Sequence, residues 1–294
     1  MTQETTLWTA LITPMNRDGS IDFESLSRVA ERQDAAGNGI LLIGSTGEGL
    51  ALSEKEKSAV VQHVSEMNVA VPVMVGVGGM NLDHQKKWIQ KCNHLNIDAF
   101  LMVTPLYSKP GPKGQAAWFS QLLDTAEKPC MLYNIPSRTG IDFYPHVAKI
   151  LSSHPNFWSI KEASGNIKTY QTFREMVPEI SLFSGDDGLL AFFRAAGCQG
   201  LVSVSANVWP EATTLYTEKC LTGETGSLFP LWKRAVAALF SQSNPIPVKH
   251  LLHEKGVIST PCLRLPLLAD ELEDVAGLMQ IDEEIETWYK KTNK

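Results

Sequence analysis

FWSIKEASGN, residues 157–166, reads as a short strand that runs into a turn. Phe157, Trp158 and Ile160 are bulky strand formers, and Ser164, Gly165 and Asn166 supply turn chemistry. Lys161 therefore falls near the carboxyl end of the strand. Lysine is seldom fully buried unless something offsets its desolvation. Two readings follow. In one, the ammonium belongs to an edge strand and snorkels to water. Alternatively, burial lowers its pKa so that the amine can attack a carbonyl. The surroundings decide between them.

Similar runs recur along the chain at intervals of roughly thirty residues. They are LWTALIT (7–13), ILLIG (40–44), VPVMVGV (71–77), AFLMVTP (99–105), CMLYNIP (130–136), FWSIKEAS (157–164), ISLFSG (180–185) and GLVSVSA (200–206). Segments of helical period lie between them, among them SLSRVAERQDAAG and QAAWFSQLLDTAE. Gly37 and Gly39 stand where a helix ends and a strand begins. Continuous apolar strands alternating with helices imply a parallel sheet covered by helices. Eight such units predict an α/β fold, a closed (β/α)8 TIM barrel; an open sheet would need a reversal of strand order. A helix from Trp209-Pro210 to about Leu221 completes the eighth unit. The rest reads as helices only, in LFPLWKRAVAALFSQ, PVKHLLHEKG and LADELEDVAGLMQIDEEIETWYKK. The expected organisation is a barrel over 1–225 that carries the site, with a C-terminal helical domain over 226–294 packed on it.

The 294 residues are 44% hydrophobic and 20% charged, a globular composition able to bury a large core. A net charge of −6 argues against a nucleic-acid or anionic-membrane partner. No apolar run reaches membrane-spanning length, and MTQETTLWTALITP lacks the pattern of a signal peptide. Five scattered cysteines without a CxxC pair suit reduced thiols in a cytoplasm.

Catalytic groups of such barrels gather at the carboxyl ends of strands. Those ends carry Gly44-Ser45-Thr46-Gly47-Glu48, Pro105-Leu106-Tyr107, Tyr133-Asn134 with Ser137-Arg138, Lys161, Gly185-Asp186-Asp187, and Ser203 with Ser205. Hydroxyl and charged groups thus converge on one rim around a lysine, which favours the reactive amine. GSTGEG lacks the GK[ST] ending of a phosphate loop. Its backbone N–H groups can hold a small carboxylate or simply make a tight turn. Ser53 is a plausible cap for the helix that follows, with Glu54 and Glu56 in its first turn. GVGGMN (76–81) reads as close packing, Asp186-Asp187 as a structural turn, and His250 and His253 as surface polarity. No histidine falls at a strand end, so a Ser–His–Asp triad has no support. Pyridoxal phosphate would need a phosphate cup and a partner for its ring nitrogen, and neither is visible. A cofactor-free Schiff base with a keto acid is more economical.

GSTGE (44–48), VTPLYSKP (103–110), YNIPSRTG (133–140), IKEASGN (160–166), SGDD (184–187) and NPIPVK (244–249) occur in this order and spacing. Together they resemble the dihydrodipicolinate synthase family, pyruvate-dependent class I lyases related to N-acetylneuraminate lyase. The resemblance runs nearly end to end. It implies condensation of pyruvate with L-aspartate 4-semialdehyde, the entry step of diaminopimelate and lysine biosynthesis, with no metal or organic cofactor. The alternative is a related aldolase, such as N-acetylneuraminate lyase or a 2-keto-3-deoxy sugar acid aldolase. By resemblance, Lys161 forms the Schiff base and Tyr133 shuttles protons. Thr46 holds the pyruvate carboxylate, and Val202 contacts pyruvate through its backbone. Arg138 holds the carboxylate of the aldehyde and discriminates the synthase branch. Ser45 and Tyr107 complete a hydroxyl relay. Tyr107 comes from the neighbouring subunit of a tight dimer, within a homo-oligomer that is expected to be a tetramer. Ser45 stands where the family more often has threonine. A barrel that kept the fold only to bind a ligand is the competing class, and the intact Lys161, Tyr133 and Arg138 set argues against it. Glu54, Met80, His84 and Leu106 replace the residues with which lysine-inhibited members hold L-lysine, so insensitivity to that amino acid is expected.

Overall fold

Gly37 ends the helix Phe23–Ala36 in the left-handed region, at φ 73°, and its N–H bonds back to the Asp34 carbonyl. Gly39 then opens the next strand. That helix-to-strand punctuation recurs along the chain. The computed structural model describes residues 5–226 and 228–293. Its strands are β1 (Leu7–Ala10), β2 (Gly39–Leu42), β3 (Val73–Val77), β4 (Ala99–Val103), β5 (Cys130–Asn134), β6 (Phe157–Glu162), β7 (Ser181–Ser184) and β8 (Gly200–Ser203). They close into a barrel in chain order. The helices are α1 (Phe23–Ala36), α2 (Glu54–Glu66), α3 (Leu82–Asn93), α4 (Pro112–Thr125), α5 (Pro136–Thr139), α6 (Pro145–Leu151), α7 (Ile167–Met176), α8 (Leu190–Ala195), α9 (Pro210–Thr222), α10 (Leu228–Leu239), α11 (Ile246–Glu254) and α12 (Val275–Thr292). The (β/α)8 barrel followed by C-terminal helices is the architecture that the eight-fold alternation implied.

The chain forms two compact units that divide at Thr6/Leu7, Val71/Pro72 and Val202/Ser203. In the first unit, β3 to β8 pair in parallel, with Tyr133 opposite Lys161 and Lys161 opposite Phe183. Phe119, Phe143 and Phe173 bring α4 and α7 together by edge and stacked contacts. The second unit pairs β1 with β2 and holds α1, α2, α9 and the three tail helices. Trp232 of α10 stacks on Tyr216 of α9 at 4.0 Å between ring centroids and meets Trp288 of α12 edge-on. The Trp209 indole N–H donates to Asp282 of α12 at 2.7 Å.

The strands stop two to three residues short of several apolar runs. Thr104, just past β4, gives both its N–H and its hydroxyl to the Tyr133 carbonyl. The last helix starts at Val275 and not near Leu268. Asp274 caps it by accepting from the Gly277 N–H, and 269–271 form a single 3-10 turn. His250 and His253 are half-buried, each with a ring nitrogen against a backbone carbonyl. Among the described residues, no helix is long and apolar enough to cross a membrane.

Candidate active site

Lys161 is the fifth residue of β6, and every position of that strand except Trp158 is buried. The side chain is 5% exposed, so the edge-strand reading fails. Its Nζ lies 4.3 Å from the centre of the Tyr133 ring on the neighbouring strand. Burial brings its pKa down from 10.5 to about 7, against the opposing pull of the Asp187 carboxylate, and the Arg138 guanidinium lowers it further. About half of such amines are uncharged at neutral pH, against on the order of one in a few thousand for an ordinary lysine. An uncharged amine has the free lone pair that addition to a carbonyl requires.

Tyr133 is buried too. Loss of hydration pushes its phenol up to about 12; the Arg138 cation works the other way, and Glu162 reinforces the rise. The phenol is therefore protonated at neutral pH, with a cation near enough to ease the transient loss of its proton. Arg138 itself is exposed on the single turn of α5. Pro136 opens that turn, and the Gly140 N–H closes it on the Pro136 carbonyl. Tyr107 is anchored to the same turn, its N–H donating to the Thr139 carbonyl at 3.3 Å. Its ring is 86% exposed and its backbone holds φ 60°, which is costly for a tyrosine. The first unit thus gathers Lys161, Tyr133 and Arg138 but leaves Tyr107 in the open. Val202 is fully buried within β8 of the same unit.

In the second unit, Ser45 and Thr46 lie in the loop after β2. Ser45 is exposed; Thr46 is buried, and its hydroxyl oxygen accepts from the Asn244 amide at 2.9 Å. A Cβ on Gly49 would stand 2.3 Å from the Ile43 carbonyl oxygen, so glycine is obligatory where the loop folds back. The helix that follows is capped by Ser53, as its sequence suggested, and Glu56 reaches back to complete a capping box.

Two residues near the amine were placed on the rim by the sequence but given no part beside the lysine. Gly185 lies against it, because a Cβ there would come within 2.7 Å of the Lys161 Cε. Asp187 looked like turn chemistry, a role Asp186 does fill by accepting from the Gly188 N–H. Asp187 is instead a buried carboxylate whose charge acts on Lys161. Nothing local in SGDD separates the two aspartates.

A closed parallel barrel with a desolvated, near-neutral lysine at a strand end defines a class, the barrel enzymes that work through a lysine Schiff base. Within that class the chain belongs to the dihydrodipicolinate synthetase family, whose profile matches residues 3–284. It is 47% identical over 284 residues to the 4-hydroxy-tetrahydrodipicolinate synthase of Francisella philomiragia subsp. philomiragia, covering 96% of each chain. It is 42% identical over 292 residues to the enzyme of that name from Wolbachia pipientis subsp. Culex pipiens, covering 99% of each. Among solved structures, it resembles the chloride-inhibited dihydrodipicolinate synthase of Acinetobacter baumannii complexed with pyruvate. The TM-score there is 0.85 at 30% identity over 98% of both chains.

Proposed function

We propose that the chain is a lyase that condenses pyruvate with L-aspartate 4-semialdehyde to give 4-hydroxy-tetrahydrodipicolinate, a step of diaminopimelate and lysine biosynthesis. The observation that carries this is the buried Lys161 amine, near neutrality beneath the Tyr133 ring. The neutral amine adds to the keto carbon of pyruvate, and loss of water gives an iminium. That cation draws electrons from the methyl group, so the methyl loses a proton and becomes an enamine carbon. The enamine attacks the aldehyde, and the substrate's own amine then displaces Lys161 as the ring closes. Tyr133, protonated at neutral pH, gives a proton to the departing hydroxyl and recovers one later. Arg138 favours the neutral amine electrostatically and, exposed on α5, is available to the aldehyde's carboxylate.

Thr46 takes the pyruvate carboxylate, the Val202 backbone lies against pyruvate, and Ser45 with Tyr107 passes protons to solvent. An exposed tyrosine held at positive φ suits a group that completes a neighbour's site. The assembly proposed on it is a dimer of dimers with Tyr107 shared across the tight dimer. Residues 1–225 carry the chemistry, with 226–294 as the helical extension, and the compartment is the cytoplasm. Met80 and Leu106 offer no hydrogen-bonding side chain to a zwitterion, so L-lysine leaves the rate unchanged.

The test is a coupled assay with pyruvate and L-aspartate semialdehyde beside N-acetylneuraminate cleavage. Turnover is expected in the first alone. In Arg138→Ala, use of the aldehyde falls by about tenfold to a hundredfold, the value of a charge-assisted carboxylate contact. Borohydride trapping of pyruvate persists in that variant. Cleavage of the sugar acid by the unmodified chain, or loss of trapping as complete as in Lys161→Ala, would sink the assignment.

A further inference from the structure

NPIPVK (244–249) meets GSTGEG (44–49) at two points inside the second unit. Asn244 is 5% exposed, and its side-chain amide donates to the Thr46 hydroxyl oxygen at 2.9 Å. Five residues on, the fully buried Lys249 ammonium donates to the Glu48 carboxylate and to the Cys262 carbonyl, the latter at 2.8 Å. The second carboxylate oxygen of Glu48 accepts from the Arg264 N–H at 2.9 Å, so both oxygens of this buried carboxylate are partnered. Glu48 itself stands at φ 53°. A bend of that kind persists only where the surroundings over-determine it.

The first contact has a polarity. A hydroxyl carries one hydrogen and two acceptor lone pairs. With the Asn244 N–H filling a lone pair of Thr46, the hydroxyl hydrogen is directed elsewhere and is free to be donated. A carboxylate only accepts. The bond thus keeps the hydroxyl hydrogen off Asn244 and available to an acceptor, which lowers the ordering cost of binding an anion.

We propose that Asn244 is a positioning residue that fixes Thr46 as a hydrogen-bond donor to the substrate carboxylate, while the buried Glu48–Lys249 pair holds the two segments in register. This rests on the functional reading above, in which Thr46 takes the carboxylate of pyruvate.

Asn244→Asp in the full chain tests it, because the shape is kept and the bond is reversed. Aspartate accepts from Thr46, turns the hydroxyl hydrogen inward and places a negative charge beside the anion. The KM for pyruvate is expected to rise by about tenfold to a hundredfold, the usual worth of a charge-assisted contact. With pyruvate saturating, kcat and the KM for the aldehyde stay near the unmodified values, the signature of lost binding without lost chemistry. Asn244→Ala removes the donor without adding charge and moves the same parameter by a smaller factor; it decides the matter if the aspartate variant does not fold. An unshifted pyruvate KM in a folded variant, or a fall in kcat at constant KM, overturns the proposal. Trapping of pyruvate by the unmodified chain together with an unshifted variant overturns the positioning role alone. Absence of trapping in the unmodified chain overturns the functional reading, and the positioning role with it.

Discussion

Burying Lys161 costs stability. Its folded pKa of about 7 lies below the ordinary 10.5, so between those values the unfolded chain binds more protons than the folded one. Stability then rises with pH across that window, and a neutral side chain of similar volume removes the penalty. Lys161→Met is expected to be more stable than the unmodified chain by on the order of a few kcal/mol near pH 7, with the gain shrinking toward pH 10. Urea unfolding at the two pH values measures this, and a variant no more stable near pH 7 would show that the amine is not desolvated. The lysine was legible in the sequence because a cation inside a strand needs an explanation. Asp187 was not. Whether an aspartate faces the lysine depends on side-chain direction after β7, and SGDD reads the same either way.

At the scale of elements, local chemistry carried most of the reading. Gly37 in the left-handed region, the Ser53–Glu56 capping box and Pro210 at the start of α9 are each satisfied by neighbours within a few residues. The strands were equally legible as eight apolar runs, although their ends were not. At those ends side chains bond across to the neighbouring strand, the Thr104 hydroxyl to the Tyr133 carbonyl and the Asn134 amide to the Glu162 carboxylate. The start of α12 moved for a similar reason, since Asp274 caps better than the acidic run ahead of it. The contacts that shape the loop after β2 lay beyond any local signal. Asn244 is 198 residues from Thr46, and Lys249 is 201 from Glu48. NPIPVK could be noticed as a motif, but its partner could not be named.

For the whole molecule, the count of eight strand–helix units favoured a closed barrel over an open sheet, and the strands do close in chain order. Tyr107 is the residue that a single chain leaves unexplained: exposed, at positive φ, and anchored beside α5. If it completes a neighbour's relay, two inactive variants will complement each other. Lys161→Ala keeps Tyr107 but has no nucleophile, and Tyr107→Phe keeps the nucleophile but has no phenol. Dissociated, mixed and reassembled, the pair is expected to recover up to about a quarter of the unmodified activity, on the simple statistics of random dimer pairing with a proton-transfer role for the phenol. No recovery in mixed dimers shown to have formed would place Tyr107 outside the neighbouring site.

The central claim is the Schiff base on Lys161, and the most direct measurement is borohydride reduction in the presence of pyruvate followed by peptide mass analysis. The account predicts a reduced pyruvyl adduct on Lys161 alone, formed faster as pH rises through about 7, where the amine loses its proton. An adduct on another lysine, or none while the enzyme turns over, would contradict it.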